Sequence, residues 1–412
     1  MALKHWLVLW KSSQQKNSKQ GDTMFKIQTL NKISPKGLDL FSHDNYEVAS
    51  EIGSPDAIVL RSFKMHDMAL PETLCAVARA GAGTNNIPIE RCSEKGIVVF
   101  NTPGANANAV KEAVLTGLLL ASRDIVEGIR WVQSIKEEGE NVPALVEKGK
   151  SQFGGEEIRG KKIGIVGLGA IGAMVANDAL ALGMEVIGYD PYLSVDAAWE
   201  LSSDVKKATG LETLLSDVDY LSIHIPLMES TKEMFNSEKF AMMKDGISIL
   251  NFARGGLVNN DDIKAALESG KVSTYVTDFP SADLLGVKGV IPIPHLGAST
   301  EESEENCATM ACQQIKDFLE TGNIKNSVNF PTCEMPVKAG EKRIIIANKN
   351  VPHMISEITS LLADNSVNIG DMLNKSKGDL AYNIIDIDGE VSEDVLDKLR
   401  KVDGIILVKI II

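Results

Sequence analysis

KKIGIVGLGAIGAMVANDALALGMEVIGYD, residues 161–190, decides the fold. Ile163 to Val166 is an apolar run with the length of a buried strand. It breaks at Gly167-Leu168-Gly169-Ala170-Ile171-Gly172, and Ala173, Val175, Ala176, Ala179 and Leu180 then repeat with helical spacing. A second apolar strand, Glu185 to Tyr189, ends on Asp190. A GxGxxG pattern alone also marks ordinary turns. Flanked by strand, helix, strand and acid, it reads as a dinucleotide site. Gly167 permits the tight turn, Gly169 leaves room for a pyrophosphate, and Gly172 lets helix and strand pack closely. The helix N-terminus offers unpaired N–H groups to phosphate. Asp190 would accept from both ribose hydroxyls and repel a 2′-phosphate, so the expected cofactor is NAD rather than NADP.

Outward from this unit, bulk properties narrow the class. A chain of 412 residues holds two or three domains. A formal charge of −14 argues against nucleic acid and anionic membrane as partners. An anionic substrate would then need a local group of Arg or Lys. The five cysteines are scattered without ligand spacing. They read as thiols of a reducing cytoplasm, with no metal site expected. No apolar run reaches membrane-spanning length. Residues 1–23 stand apart: the apolar piece Trp6–Trp10 is too short for a signal segment, and a Lys/Ser/Gln stretch follows. They are expected to be a disordered leader, whether added or natural, with the folded part starting at Met24.

Strands and helices alternate from there. FKIQTL, DAIVLRS (56–62), the start of LCAVARAGAGTNNI (74–87) and GIVVFNTPG (96–104) read as strands. The stretch from Ala109 to Ile125 reads as a long helix with Val110, Val114, Leu115, Leu118 and Leu119 on its apolar positions. Beyond the glycine turn, DYLSIHIPL (219–227), GISILNFARGG (246–256), STYVTDF (273–279) and GVIPIPHLGAS (289–299) read as strands, then a helix over 303–319. The expected class is α/β, with two Rossmann-like, doubly wound parallel-sheet domains. Residues 331–340 read as a linker. Residues 341–412 follow a βαββαβ order, that of a ferredoxin-like unit.

Ligands of open α/β sheets bind at the carboxyl ends of strands. Arg254 in NFARGG is there, a planar donor suited to a carboxylate beside a carbonyl or alcohol. His295 in PHLGAS can take a hydroxyl proton while a hydride leaves. A histidine base is usually oriented by a carboxylate. Asp278 and Asp283 are the candidates, with Asp283 preferred and Asp278 assigned to the nicotinamide side; Glu301 and Glu302 stand behind them. His224, in LSIHIP, is expected to be structural or to line the cofactor site.

Together AIVLRS, RAGAGTNNI, VFNTPGANA, VGLGAIG, YDP, HIPL, NFARGG, VTDFPSAD and PHLGAST resemble the D-isomer-specific 2-hydroxyacid dehydrogenases, over essentially the whole chain from Met24. The C-terminal unit looks like an ACT domain. The resemblance implies a substrate domain of 24–120 plus 306–330, an NAD-binding domain of 121–305, and an active site in the cleft. It implies Arg254, Asp283 and His295 as catalytic residues. Gly167, Gly169, Ala170, Ile171, Gly172, Asp190, Ala253, Arg254, Asp278, His295, Gly297 and Ala298 fall at cofactor positions. Arg61, Ser62, Arg79, Gly83, Asn106 and Arg254 fall at substrate positions, and Lys64 lies near them.

The implied reaction is NAD-dependent oxidation of 3-phosphoglycerate to 3-phosphonooxypyruvate, which begins serine synthesis. Another hydroxyacid, such as 2-hydroxyglutarate or hydroxypyruvate, is one alternative, and a non-enzymatic NAD-sensing binding protein is another. A homodimer or homotetramer is expected, with an amino acid such as serine as a possible effector at the ACT unit. Asn350 and Asn368 match effector positions there. Three departures stand out. Asp283 replaces the family's Glu and is one methylene shorter; Asn348 replaces a His; and His353 replaces the Gly of a turn, where its ring would crowd the effector pocket.

Overall fold

A computed structural model describes residues 24–337 and 342–411. The leader at 1–23 and positions 338–341 of the expected linker lie outside the described residues. The chain divides into two compact units, one running to Ala105 and resuming at Glu304, the other Asn106–Ser303.

In the first unit, β1 (Phe25–Leu30), β2 (Tyr46–Ala49), β3 (Ala57–Leu60), β4 (Ala76–Arg79) and β5 (Val98–Phe100) form a parallel sheet ordered β2-β1-β3-β4-β5. The uninterrupted apolar run Ala57–Leu60 is explained by two covered faces. Ala57 and Val59 join one core with Phe100 and Phe318, while Ile58 and Leu60 join another with Met65 and Val77.

The second unit begins its sheet with β6 (Lys162–Val166), β7 (Glu185–Tyr189) and the two-residue β8 (Lys206–Lys207). It continues with β9 (Tyr220–Ile223), β10 (Ile247–Asn251), β11 (Val272–Thr277) and β12 (Val290–Pro292). All pairs are parallel and the order is β12-β11-β10-β9-β6-β7-β8. The winding reverses between β6 and β9, the switch point at which open α/β sheets bind ligands. The helix Ala107–Ser122 packs on this sheet: a Cβ added at Gly117 would come 2.9 Å from the Phe252 ring. The structural division therefore falls before this helix, at 105/106, rather than after it.

The C-terminal sheet returns to the first unit. It comprises β13 (Lys342–Lys349), β14 (Asn368–Lys377), β15 (Leu380–Asp388) and β16 (Ile405–Ile411), antiparallel and ordered β14-β15-β13-β16. Helices Met354–Asp364 and Glu393–Arg400 complete the βαββαβ pattern. Ile344 and Ile346 face those helices; Ile345 and Ala347 face the core of the first parallel sheet. The described part of the expected linker is bonded rather than loose, with Cys333 and Ile324 exchanging backbone hydrogen bonds at 2.8 and 2.9 Å. No described helix is long and apolar enough to cross a membrane.

Candidate active site

The glycine turn has the local geometry its sequence asks for. Gly167 has φ +91°, and a Cβ there would lie 2.7 Å from the His224 carbonyl oxygen. Beside Gly169 there is open space, the cradle that a pyrophosphate needs. At Gly172 a Cβ would be driven into the Gly167 carbonyl oxygen. Gly172→Ala is therefore expected to force turn and helix apart. About 1–3 kcal/mol of stability should go, with at least tenfold weaker NADH binding, read by thermal unfolding and fluorescence titration.

The helix Ala170–Ala181 starts directly after the turn, and Ile171 packs into the core beneath it. Asp190 closes β7: its carboxylate accepts from the Leu168 and Tyr192 backbone N–H groups, both at 2.8 Å. These bonds fix the carboxylate while each oxygen keeps a lone pair for a ribose hydroxyl. His224 hydrogen-bonds the Ser222 hydroxyl through Nε2 at 2.8 Å, and burial holds its imidazole down at about 4. It follows β9 at the switch point.

Strands β10, β11 and β12 lie side by side and end at the same edge. β10 leads to Arg254, which is exposed; its guanidinium donates to the Ala253 carbonyl at 2.7 Å. Ala253 is itself held by its N–H to the Asn251 side chain at 3.2 Å. β12 leads to His295, which is also exposed and has φ +40°, a conformation that non-glycine residues take only when their surroundings hold them. Its N–H is shared by the Ile293 and Asp278 carbonyls at 2.9 and 3.1 Å. β11 leads to Asp278 and Phe279.

Asp278 is buried, and its Oδ1 has no hydrogen-bond partner. Burial raises its carboxyl, against the pull of His295, the Gly297 N–H and Arg254. Gly297 leaves it room: a Cβ there would stand 3.0 Å from Oδ2. Ala298 packs beneath in the core. An orphaned buried acceptor beside Arg254 and His295 suits the amide of a nicotinamide.

Asp283 requires a correction. It does not turn to His295. Its oxygens accept from Asn260 at 3.3 Å and Lys264 at 3.4 Å, side chains of the helix Asn260–Glu268. The Ser281 hydroxyl, with Lys264 further down in effect, holds its carboxyl below the ordinary range. The short turn at 282–284 presents this shorter acid to the helix. Asp283→Asn should accordingly leave kcat within about twofold, because an exposed ion pair is worth little; a hundredfold loss in a turnover assay would contradict this placement.

In the first unit, Arg61 and Ser62 follow β3 in a braced loop. The Asn31 side-chain oxygen accepts from the N–H groups of Arg61, Ser62 and Phe63 at 3.4, 3.1 and 2.8 Å. Asn86 donates to the Arg61 and Phe63 carbonyls at 3.1 and 2.7 Å. Arg79 also works as a brace: Nε donates to the Arg61 carbonyl at 3.0 Å and Nη1 to Asn85 at 3.3 Å, directly under Gly83. The Arg61 guanidinium itself projects to Glu304 at 2.6 Å. Asn106 opens the helix Ala107–Ser122 without a capping side-chain bond.

At the C-terminal unit, Asn350 donates to the Gly378 carbonyl at 3.1 Å and Asn368 to Asp388 at 2.5 Å. His353 has φ +72° and so keeps the left-handed turn that a glycine would adopt freely.

A glycine-turn NAD site with a guanidinium and an imidazole at one edge of the same sheet, on strand ends flanking β11, defines a hydride-transferring dehydrogenase. Residues 115–297 match the family model described as D-isomer specific 2-hydroxyacid dehydrogenase, NAD binding domain. The chain is 31% identical over 352 residues to the D-3-phosphoglycerate dehydrogenase of Haemophilus influenzae, covering 82% of this chain and 81% of that one. The chain belongs to the D-isomer-specific 2-hydroxyacid dehydrogenase family.

It is also 32% identical to the D-3-phosphoglycerate dehydrogenase of Methanocaldococcus jannaschii, spanning 63% of that protein's length. The hydroxypyruvate reductase of Thermotoga maritima is 36% identical over 305 residues, 69% of this chain and 94% of the reductase. The solved NAD+-bound 3-phosphoglycerate dehydrogenase of Entamoeba histolytica superposes with a TM-score of 0.57 at 25% identity, covering 74% of this chain and 99% of that one.

Proposed function

We propose that this chain oxidises 3-phosphoglycerate to 3-phosphonooxypyruvate with NAD, the reaction that begins serine synthesis. The observation that carries the reading is the pairing of Arg254 and His295 about one aromatic ring, on strand ends of the sheet that also carries the glycine turn. Arg254 holds the substrate carboxylate with two parallel N–H donors. His295 takes the C2 hydroxyl proton as the C–H bond breaks. Bound NAD supplies the acceptor for the C2 hydride. Asp278, through its unpartnered Oδ1, fixes the carboxamide end of the cofactor. Arg61 supplies charge for the phosphate, and Arg79, Asn86 and Asn31 hold its loop.

Hydroxypyruvate is the second reading, favoured by the Thermotoga relative at 36% identity. The test is a substrate panel followed by absorbance at the NADH band. Faster turnover of 3-phosphoglycerate, with the preference lost in Arg61→Ala, supports the first reading. Turnover of hydroxypyruvate alone supports the second, and turnover of neither overturns both.

We place the enzyme in the cytoplasm, in keeping with five free thiols. It works as a homodimer or homotetramer. Ile125, Ile129 and Val132 form an exposed apolar stripe on the helix Ile125–Ser134, which buries none of its residues in its own chain. Such a stripe suits a second copy. The C-terminal unit would take an amino-acid effector at Asn350 and Asn368, with His353 narrowing the turn between them and the helix it starts.

A further inference from the structure

We propose that Phe279 is the positioning residue that sets the spacing and orientation of Arg254 and His295, a task that a carboxylate performs for many histidine bases. The inference rests on the reading of those two residues given above. β11 is the middle strand of three, between β10 and β12. Strand neighbours stand about 4.8 Å apart, so residues just beyond β10 and β12 have one strand-width of empty edge between them unless β11 fills it. Phe279 fills it. Its ring centroid is 4.4 Å from the His295 ring at an interplanar angle of 46°, and 5.7 Å from the Arg254 guanidinium carbon.

Both contacts are orienting. The tilted aromatic pair restricts rotation of the imidazole. The ring face attracts the guanidinium and keeps it flat and forward. The ring is also held from behind. The Phe279 backbone N–H donates to the Thr277 hydroxyl at 3.1 Å, and a Cβ at Gly255 would lie only 3.3 Å from the Phe279 Cβ. The spacer thus has a fixed base and two working faces. With Asp283 committed to Asn260 and Lys264, the orientation of His295 falls to this ring and to the backbone bonds of residue 295.

The test compares Phe279→Leu and Phe279→Tyr with the wild type in steady-state turnover. Phe279 is only half-buried, so both variants should fold with little change in Tm. Leu removes the flat faces and adds rotamers; an error of about 1 Å between catalytic groups costs up to about 100-fold. The leucine variant should lose 10- to 100-fold in kcat while KM for NAD stays within about twofold. The tyrosine variant, which keeps the ring, should hold kcat within about threefold. A leucine variant with wild-type kcat, or a tyrosine variant as impaired as leucine, overturns the proposal. Should leucine fail to fold, Phe279→Met gives the same comparison. The ring acts on the 2-hydroxy acid end common to 3-phosphoglycerate and hydroxypyruvate, so the comparison is read on whichever the wild type turns over. A wild type silent on both would overturn the activity and this role with it.

Discussion

Arg254→Ala should lower kcat/KM for 3-phosphoglycerate by about three orders of magnitude, with NADH affinity nearly unchanged. Truncating one partner of a charge-assisted pair in a binding site costs roughly 2–5 kcal/mol, and each 1.36 kcal/mol is about tenfold in rate. The upper half applies here because the protein carries a formal charge of −14, which disfavours an anionic substrate wherever a local cation is missing. The guanidinium is exposed, donates to a neighbouring carbonyl and lies over the Phe279 ring, so removing it breaks no buried ion pair. The loss therefore reports on substrate rather than on folding. Cofactor binding rests mainly on the glycine turn and Asp190, at the far side of the switch point from β11 and β12. Arg254→Lys keeps the charge but not the planar fork, and should recover only part of the loss. Steady-state kinetics with a parallel NADH titration measures both quantities.

Arg343→Met should be the most damaging single change away from the active site. Arg343 on β13 and Asp386 on β15 are paired across the sheet with side chains only 4% and 3% exposed. The guanidinium donates to both carboxylate oxygens, at 2.6 and 2.9 Å, and to the carbonyls of Thr321, Met335 and Pro336, at 2.9, 3.1 and 2.8 Å. Removing it strands a buried carboxylate and three carbonyls. Breaking one side of such a pair costs about 3–5 kcal/mol, on the order of a 10 °C fall in Tm. Calorimetry should show the fall in the transition of the first unit. The double variant Arg343→Met with Asp386→Leu should regain most of it, since an apolar replacement of both partners is often neutral. A single variant with wild-type Tm would show that this junction does not hold the C-terminal sheet in place.

The glycine turn was fully legible in the sequence because each of its three glycines answers a different backbone demand, and the structure shows all three. The placement of Arg254 and His295 was legible for a similar reason: strand ends recur at one sheet edge, so residues after apolar runs converge there. Asp283 was not. Its position along the chain says nothing of which way a short turn points its side chain, and the turn closes onto Lys264. Phe279 was passed over because an aromatic after a strand reads as core. The available signal was its place between two strand ends that carry polar chemistry.

Two other features were only half legible. Ile125, Ile129 and Val132 repeat at helical spacing, yet sequence cannot say that nothing in the same chain covers them. RIIIAN reads as a strand, but the sequence does not say what covers each of its faces. One face belongs to its own helices and the other to the first parallel sheet, where Tyr382 donates to the Gly322 carbonyl at 2.7 Å.

The most direct test of a hydride taken from C2 of an acid held by Arg254 and deprotonated by His295 follows the atom itself. With 3-phosphoglycerate deuterated at C2, the wild-type protein and NAD should yield deuterated NADH, detected by mass, with a slowed rate, and the Arg254→Ala variant should transfer the label about a thousandfold more slowly. NADH that carries no deuterium, or label transfer undiminished in that variant, would contradict the account.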